Sequence, residues 1–307
     1  MQWASFGCRD RGRDRRPGAS RGLSVTARRA TERRLAAGLN VAEWAGDAPP
    51  IVALHGLTST YHTWSKVAAD FAERRVIAPD LRGRGGSMAM GGPYGLPRHA
   101  ADVQAMLEEL DLRDIVLVGH SMGAFIAPLV ARYAKGRVTR MVLLDGGPPV
   151  ALPFFFVRPL VRMVFQRQAR EVAEPFESVP ALIEGKFGAA VRDHAEARTA
   201  TAEWLTASAI GPEGEKRAAV LPEAVSADGV SNFFDREVRE AARNLAAPAR
   251  LLYANWGGKD GARPFYTPQA AAKLEREIPR LRCSRVEGTN HLTLLFAPQV
   301  VEAVREA

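Results

Sequence analysis

From about residue 30 the chain alternates short, largely apolar and β-branched runs with longer stretches in which apolar residues recur every three or four positions. Residues 51–54 (Ile-Val-Ala-Leu) run into His55-Gly56, residues 75–78 into Pro79-Asp80, and residues 114–118 into Gly119. Residues 138–144, 249–253 and the less regular 282–286 continue the series. Apolarity at consecutive positions, rather than at alternate ones, predicts strands buried on both faces, as in a parallel sheet. Between them, residues 99–110 place Val103, Met106, Leu107 and Leu110 at helical spacing, with Asp102, Glu108 and Glu109 elsewhere on the wheel. Residues 122–134 and 268–278 are predicted as further helices. Strand followed by helix, repeatedly, defines an α/β class with a mostly parallel central sheet and helices on both faces.

The rhythm breaks between residues 148 and 245. This stretch opens on Pro148-Pro149, holds aromatic clusters and alanine-rich helical segments, and contains no strand of the same quality. A hundred residues between two strands of one sheet predict an inserted helical cap, with a core domain made of residues 30–147 and 246–307. The apolar stretch of the cap (Phe154, Phe155, Phe156, Leu160, Val161, Met163, Val164, Phe165) is interrupted by Arg158 and Arg162. Phe154, Phe155, Leu160 and Phe165 are candidates for a hydrophobic substrate pocket. The same residues would equally serve as the cap's own core.

Charge changes the picture only at one end. Of the formal net charge of +8, residues 1–34 carry +7, from ten arginines against Asp10, Asp14 and Glu32. The basic character therefore belongs to a tail, and no nucleic-acid partner is expected for the globular part. Residues 1–29, rich in Arg, Gly and Ser, are expected to lack the apolar surface needed to fold. Two cysteines, Cys8 and Cys283, suggest neither a disulfide framework nor a metal site. No apolar stretch in the first thirty residues fits a signal peptide, and no run is long enough to insert stably in a membrane. A cytoplasmic location is the default expectation, and homo-oligomerisation stays open.

The chemistry concentrates at Gly119-His120-Ser121-Met122-Gly123, a G-x-S-x-G nucleophile elbow. Five residues alone carry little information. Here they follow an apolar strand and open a helix directly, the context the motif requires. Small flanking residues let strand and helix approach, and the serine hydroxyl stands near a helix N-terminus, where negative charge is stabilised.

From about residue 30 to the end, some nine tenths of the chain, the sequence resembles an α/β-hydrolase fold enzyme. The resemblance implies that His55-Gly56-Leu57 is the oxyanion loop, with the backbone N–H of Leu57 paired with that of Met122. Such donors contribute about 2.7–4 kcal/mol each to the transition state. It implies a mostly structural role for the loop Asp80-Leu81-Arg82-Gly83-Arg84-Gly85-Gly86-Ser87. The family runs in chain order Ser, acid, His, which points to His291 as general base, the one histidine beyond the last predicted strand. His120 adjoins the serine but is expected to point to the opposite face of the turn. His55 sits under the oxyanion loop, His194 in the cap, and His62 and His99 have no support from chain order. For the acid, Asp260 follows the strand after which the family usually places it and is favoured. Asp145, at the end of an earlier strand, is the alternative.

The implied activity is a serine hydrolase acting on a small hydrophobic carboxylic ester or lactone, with neither metal nor organic cofactor. Amidase, carbon–carbon bond hydrolase and cofactor-free perhydrolase are alternatives on the same three residues. A small-molecule receptor is the non-enzymatic one. Epoxide hydrolases and haloalkane dehalogenases carry an aspartate at the elbow, and Ser121 argues against both. Carbon–carbon bond hydrolases commonly have a glycine-rich oxyanion loop, from which His55-Gly56-Leu57-Thr58-Ser59-Thr60 departs.

Overall fold

The computed structural model describes residues 30–148 and 154–307, and only the backbone of residues 154–156. The arginine-rich segment 1–29 lies outside the described residues. The strands are β1 (Thr31–Arg34), β2 (Asn40–Trp44), β3 (Ala48–Leu54), β4 (Arg74–Pro79), β5 (Ile115–His120), β6 (Val138–Leu144), β7 (Ala209–Ile210), β8 (Arg217–Ala218), β9 (Ala249–Ala254) and β10 (Leu281–Val286). Among the described residues, eight of these form one sheet in the order β1-β2-β4-β3-β5-β6-β9-β10. The pairs from β4 to β10 are parallel, while β1 and β2 add antiparallel at one edge.

The apolar runs account for this arrangement. All six residues of β5, the central strand, are buried. Side chains alternate between faces with a period of two. Val52, Leu54, Leu117, Leu143 and Leu251 therefore enter the core on one side of the sheet. Ile51, Ala53, Val116, Val118, Val142 and Leu144 enter the core on the other.

The helices are α1 (Ser65–Asp70), α2 (Leu96–Glu109), α3 (Met122–Tyr133), α4 (Phe154–Ala173), α5 (Val179–Leu182), α6 (Gly188–Val191), α7 (Ala195–Ser208), α8 (Pro222–Phe234), α9 (Arg236–Arg243), α10 (Pro268–Glu277) and α11 (Pro298–Arg305). Val103, Met106 and Leu107 of α2, and Phe125, Ile126 and Leu129 of α3, fill the first core. Val67 of α1 and Val300 and Val304 of α11 fill the second.

The chain between β6 and β9 divides into two layers. Val225 of α8 and Val238 and Ala241 of α9 belong to the core beneath the sheet. Helices α5–α7 instead close a small cluster of their own, with Val179, Ile183, Val191, Trp204 and Leu205. Entry and exit of that outer part are stitched together, because Phe176 N–H donates to the Lys216 carbonyl at 2.7 Å. The outer layer is therefore smaller than the predicted insertion. Among the described residues no helix is long and apolar enough to cross a membrane.

Candidate active site

The sheet brings the ends of β3, β5, β6 and β9 together, and the candidate residues stand on the loops just beyond them. Ser121 lies between β5 and α3 with φ 53° and ψ −116°, a conformation that side chains rarely adopt. It is held there by the packing of its neighbours. A Cβ at Gly119 would sit 2.4 Å from the Gly123 carbonyl oxygen, and one at Gly123 would sit 2.1 Å from that of Leu54. Neither glycine is replaceable without separating strand from helix. Ser121 N–H donates to the Leu144 carbonyl at 2.9 Å, which fixes the turn to the next strand.

Ser121 Oγ lies 3.0 Å from Nε2 of His291, and Nδ1 of His291 lies 2.6 Å from Oδ2 of Asp145. A carboxylate only accepts, so Nδ1 carries the proton and Nε2 is free to accept from the serine hydroxyl. Asp145 is buried at the carboxyl end of β6, and its second oxygen accepts the Ala254 N–H at 3.3 Å.

The expectation that Asp260 stands against His291 is corrected by this geometry. Its Oδ1 accepts from Asn290 Nδ2 at 2.6 Å, and its Oδ2 lies 3.1 Å from Nε2 of His194. The reason is the path of the loop after β9. That loop pairs with the histidine loop at Gly257, whose carbonyl accepts the His291 N–H at 2.8 Å. It then turns through residues 259–262, with Ala262 N–H on the Lys259 carbonyl. Asp260 is carried past His291 to the tip of that turn, where it meets the helical insertion. Asp145 needs no such excursion, because β6 ends beside the elbow.

Around these three residues two buried histidines act as struts. Nε2 of His55 accepts the Leu81 N–H at 3.0 Å, so its Nδ1–H donates to the Gly56 carbonyl at 2.8 Å. That carbonyl and the Leu57 N–H share one planar trans peptide and point in opposite directions. Fixing one therefore aims the other. His120 donates from Nε2 to the His291 carbonyl at 2.9 Å, its ring 4.9 Å from that of His291. It is thus turned toward His291 and lines the pocket, rather than facing away as the sequence suggested. Burial holds both rings down to about 3, so each is neutral at ordinary pH.

Met122, opposite Leu57 in the expected pair of donors, opens α3, where the first N–H groups have no partner within the helix. The Leu57 carbonyl accepts from Nε of Arg84 at 3.1 Å, and Nη2 of Arg84 lies 3.8 Å from Sδ of Met122. Arg84 is fully buried, and its charge is met by Asp228 of α8 at 2.5 Å. Asp228 also takes His99 Nε2–H at 2.8 Å and Gly95 N–H at 2.6 Å. Burial pushes this carboxyl up, but His99 and Arg84 beside it outweigh that and hold it at about 2. Sequence reasoning missed this cluster because Asp228 lies 144 residues from Arg84 and carries no motif.

The serine opens into a pocket of about 560 Å³, walled by aromatic side chains that include Phe125, Phe165, Phe176, Phe187 and Phe265. Leu57 and Asp145 reach the same space. Of the four pocket residues expected from sequence, Phe165 lines it. Leu160 does not, because the helical period of α4 turns it outward with Met163 and Val164. The side chains of Phe154 and Phe155 lie outside the described residues. Among the described residues no group of three or more His, Cys, Asp or Glu side chains is arranged to hold a metal.

A profile of the alpha/beta hydrolase fold matches residues 49–298, and the chain belongs to that family. It is 39% identical over 111 residues to a non-heme haloperoxidase of Rhodococcus erythropolis, a match covering 35% of this chain and 40% of that protein. The chain spans about 30–40% of the length of the first curated relatives it matches. Among solved structures it resembles E-2-(acetamidomethylene)succinate hydrolase, with TM-score 0.74 and 20% identity over 90% of this chain and 98% of that one. It also resembles a thermophilic esterase from Thermogutta terrifontis, with TM-score 0.65 and 21% identity over 91% and 97%. The chain is a hydrolase-fold protein whose relatives differ in the chemistry they perform.

Proposed function

We propose that the protein is a serine hydrolase that cleaves carboxylic esters through an acyl-enzyme on Ser121, with His291 as base and Asp145 as its orienting acid. The observation that carries this reading is the unbroken chain Asp145–His291–Ser121, at 2.6 and 3.0 Å, on the wall of an apolar pocket. Ser121 Oγ attacks the ester carbonyl while its proton passes to His291 Nε2. The imidazolium is stabilised by Asp145, and the oxyanion by the Leu57 and Met122 N–H groups. Collapse of the intermediate expels the alkoxide, which takes the proton from His291. A water then gives its proton to His291 and attacks the acyl carbon. Release of the acid returns that proton to Ser121.

The test is hydrolysis of short-chain p-nitrophenyl esters by wild type and Ser121→Ala. Wild type should turn over, and the variant should lose at least about a thousandfold in kcat. Equal nitrophenol release from both would end the proposal.

The haloperoxidase relatives favour a second reading of the same acyl-enzyme, in which hydrogen peroxide replaces water and yields a peracid. Peroxide-dependent bromination of monochlorodimedone in acetate, lost in Ser121→Ala, would identify it.

A further inference from the structure

Asn290, the residue before the candidate base, is fully buried and does not line the pocket, yet every polar group it has is engaged. Its Oδ1 accepts the N–H groups of Leu292 and Thr293 at 3.0 and 3.1 Å. Its Nδ2 donates to the Ala190 carbonyl at 2.7 Å and to Oδ1 of Asp260 at 2.6 Å. Its own N–H reaches Thr293 Oγ1 at 2.9 Å, and its carbonyl accepts the Leu294 N–H at 3.0 Å. A primary amide has two N–H donors and a carbonyl oxygen with two lone pairs, and here all four are used. Aspartate would keep the acceptors without the donors, and alanine would keep neither.

The partners of this amide belong to three segments. Leu292 and Thr293 continue the histidine loop, Asp260 stands on the loop after β9, and Ala190 lies on α6 of the outer helical layer, where it lines the pocket. A second tie runs beside the first, because Oδ2 of Asp260 lies 3.1 Å from Nε2 of His194, at the start of α7. From this we infer that Asn290 is a positioning residue for His291: it fixes the loop that carries the base and anchors that loop to the layer that covers the substrate. This rests on the serine-hydrolase reading above. The His291 side chain is itself 21% exposed at the pocket, so its aim depends on how firmly its backbone is held. A base acts only within hydrogen-bond reach of the hydroxyl it deprotonates, and a misplacement of about 1 Å can cost about a hundredfold in rate. Since Asn290 does not line the pocket, its loss should lower kcat and spare KM.

The experiment compares wild type with Asn290→Ala, Asn290→Asp and the exchange that joins Asn290→Asp to Asp260→Asn. On each, kcat and KM for p-nitrophenyl butyrate are measured per folded molecule, with the folded fraction taken from near-UV circular dichroism. The low-field proton resonance of His291 Nδ1–H on Asp145, assigned by its absence from His291→Gln, reports the position of the ring without any substrate. Asn290→Asp sets two carboxylates against each other and leaves the Ala190 carbonyl without its donor. Both single variants should lose about a hundredfold in kcat with KM within about threefold of wild type, and the resonance should broaden or vanish. The exchange restores a donor between positions 260 and 290, in the reverse direction, and should recover about tenfold or more of the lost kcat. Single variants that melt lower, yet keep wild-type kcat per folded molecule and the resonance, would show a merely structural residue and overturn the inference. It is overturned as well if KM rises as steeply as kcat falls, or if the exchange recovers nothing. Should Asn290→Ala fail to fold, Asn290→Asp and the exchange decide. A wild type with neither esterase activity nor the resonance would instead overturn the serine-hydrolase reading.

Discussion

Asp145 and Asp260 differ by one contact, the hydrogen bond to His291 Nδ1. Asp145 makes it at 2.6 Å, whereas Asp260 is bound to Asn290 and His194. Asp145→Asn should therefore lower kcat on p-nitrophenyl esters by about 10⁴-fold, through loss of the correct imidazole tautomer. Asp260→Asn should cost less than about tenfold. A collapse of kcat in Asp260→Asn with Asp145→Asn near wild type would reverse the assignment. Ser121 and His291 were legible in the sequence because each announces itself locally: one in a five-residue turn, the other by standing beyond the last strand. The carboxylate that meets His291 was not, since Asp145 directly follows β6 and Asp260 lies on the loop beyond β9, and the sequence offers both. Which one reaches the histidine depends on how the loop after β9 bends at residues 257–262, a property of its backbone pairing. His120 was misjudged for a related reason: its partner is a carbonyl 171 residues away.

At the level of elements, the strands with consecutive apolar residues were legible, and β3 to β6 and β9 follow them closely. The edge was harder. β1 reads Thr-Glu-Arg-Arg and is exposed throughout, so it carries no hydrophobic pattern to find. The insertion was read as one unit because it holds no strand of the core's quality between Pro148 and residue 245. Yet α8 joins the core through a buried charge cluster, Arg84, Asp228 and His99. Removing one partner of such a cluster leaves an uncompensated buried charge. Asp228→Ala should therefore lower unfolding free energy by about 3–5 kcal/mol, read from urea denaturation. The double variant Arg84→Met, Asp228→Leu should recover most of that loss. If the single variant costs less than about 1 kcal/mol, the cluster does not hold α8 in place.

For the molecule as a whole, His55 and His120 set the acid side of stability. Both are buried neutral at about 3, while in the unfolded chain a histidine titrates near 6.5. Between those values the unfolded chain binds protons that the folded one refuses, so stability rises with pH. Their contribution is fully present above about pH 6.5 and is lost progressively as pH falls toward 3. The loss reaches up to about 1.4 kcal/mol per pH unit for each ring. Thermal melts from pH 7.5 to 4.5 should show a steep fall in Tm. The fall should be shallower in His120→Gln, whose amide can still donate to the His291 carbonyl. An equal slope in wild type and variant would show that other groups govern the acid transition.

The bridge between Phe176 and Lys216 brings the two ends of the outer helical layer to one place. A segment whose ends already meet can lengthen, shrink or be exchanged without redirecting the chain on either side. Ser121, His291 and Asp145 all stand on the sheet's own loops, so such an exchange keeps the segments that carry them, provided the new segment restores a carbonyl for Asn290 Nδ2, which now donates to Ala190 at 2.7 Å. The molecule thus separates the sheet that carries the candidate site from an outer helical fitting, and residues 177–215 are the natural cassette for grafting when the aim is to reshape the pocket and leave those loops alone.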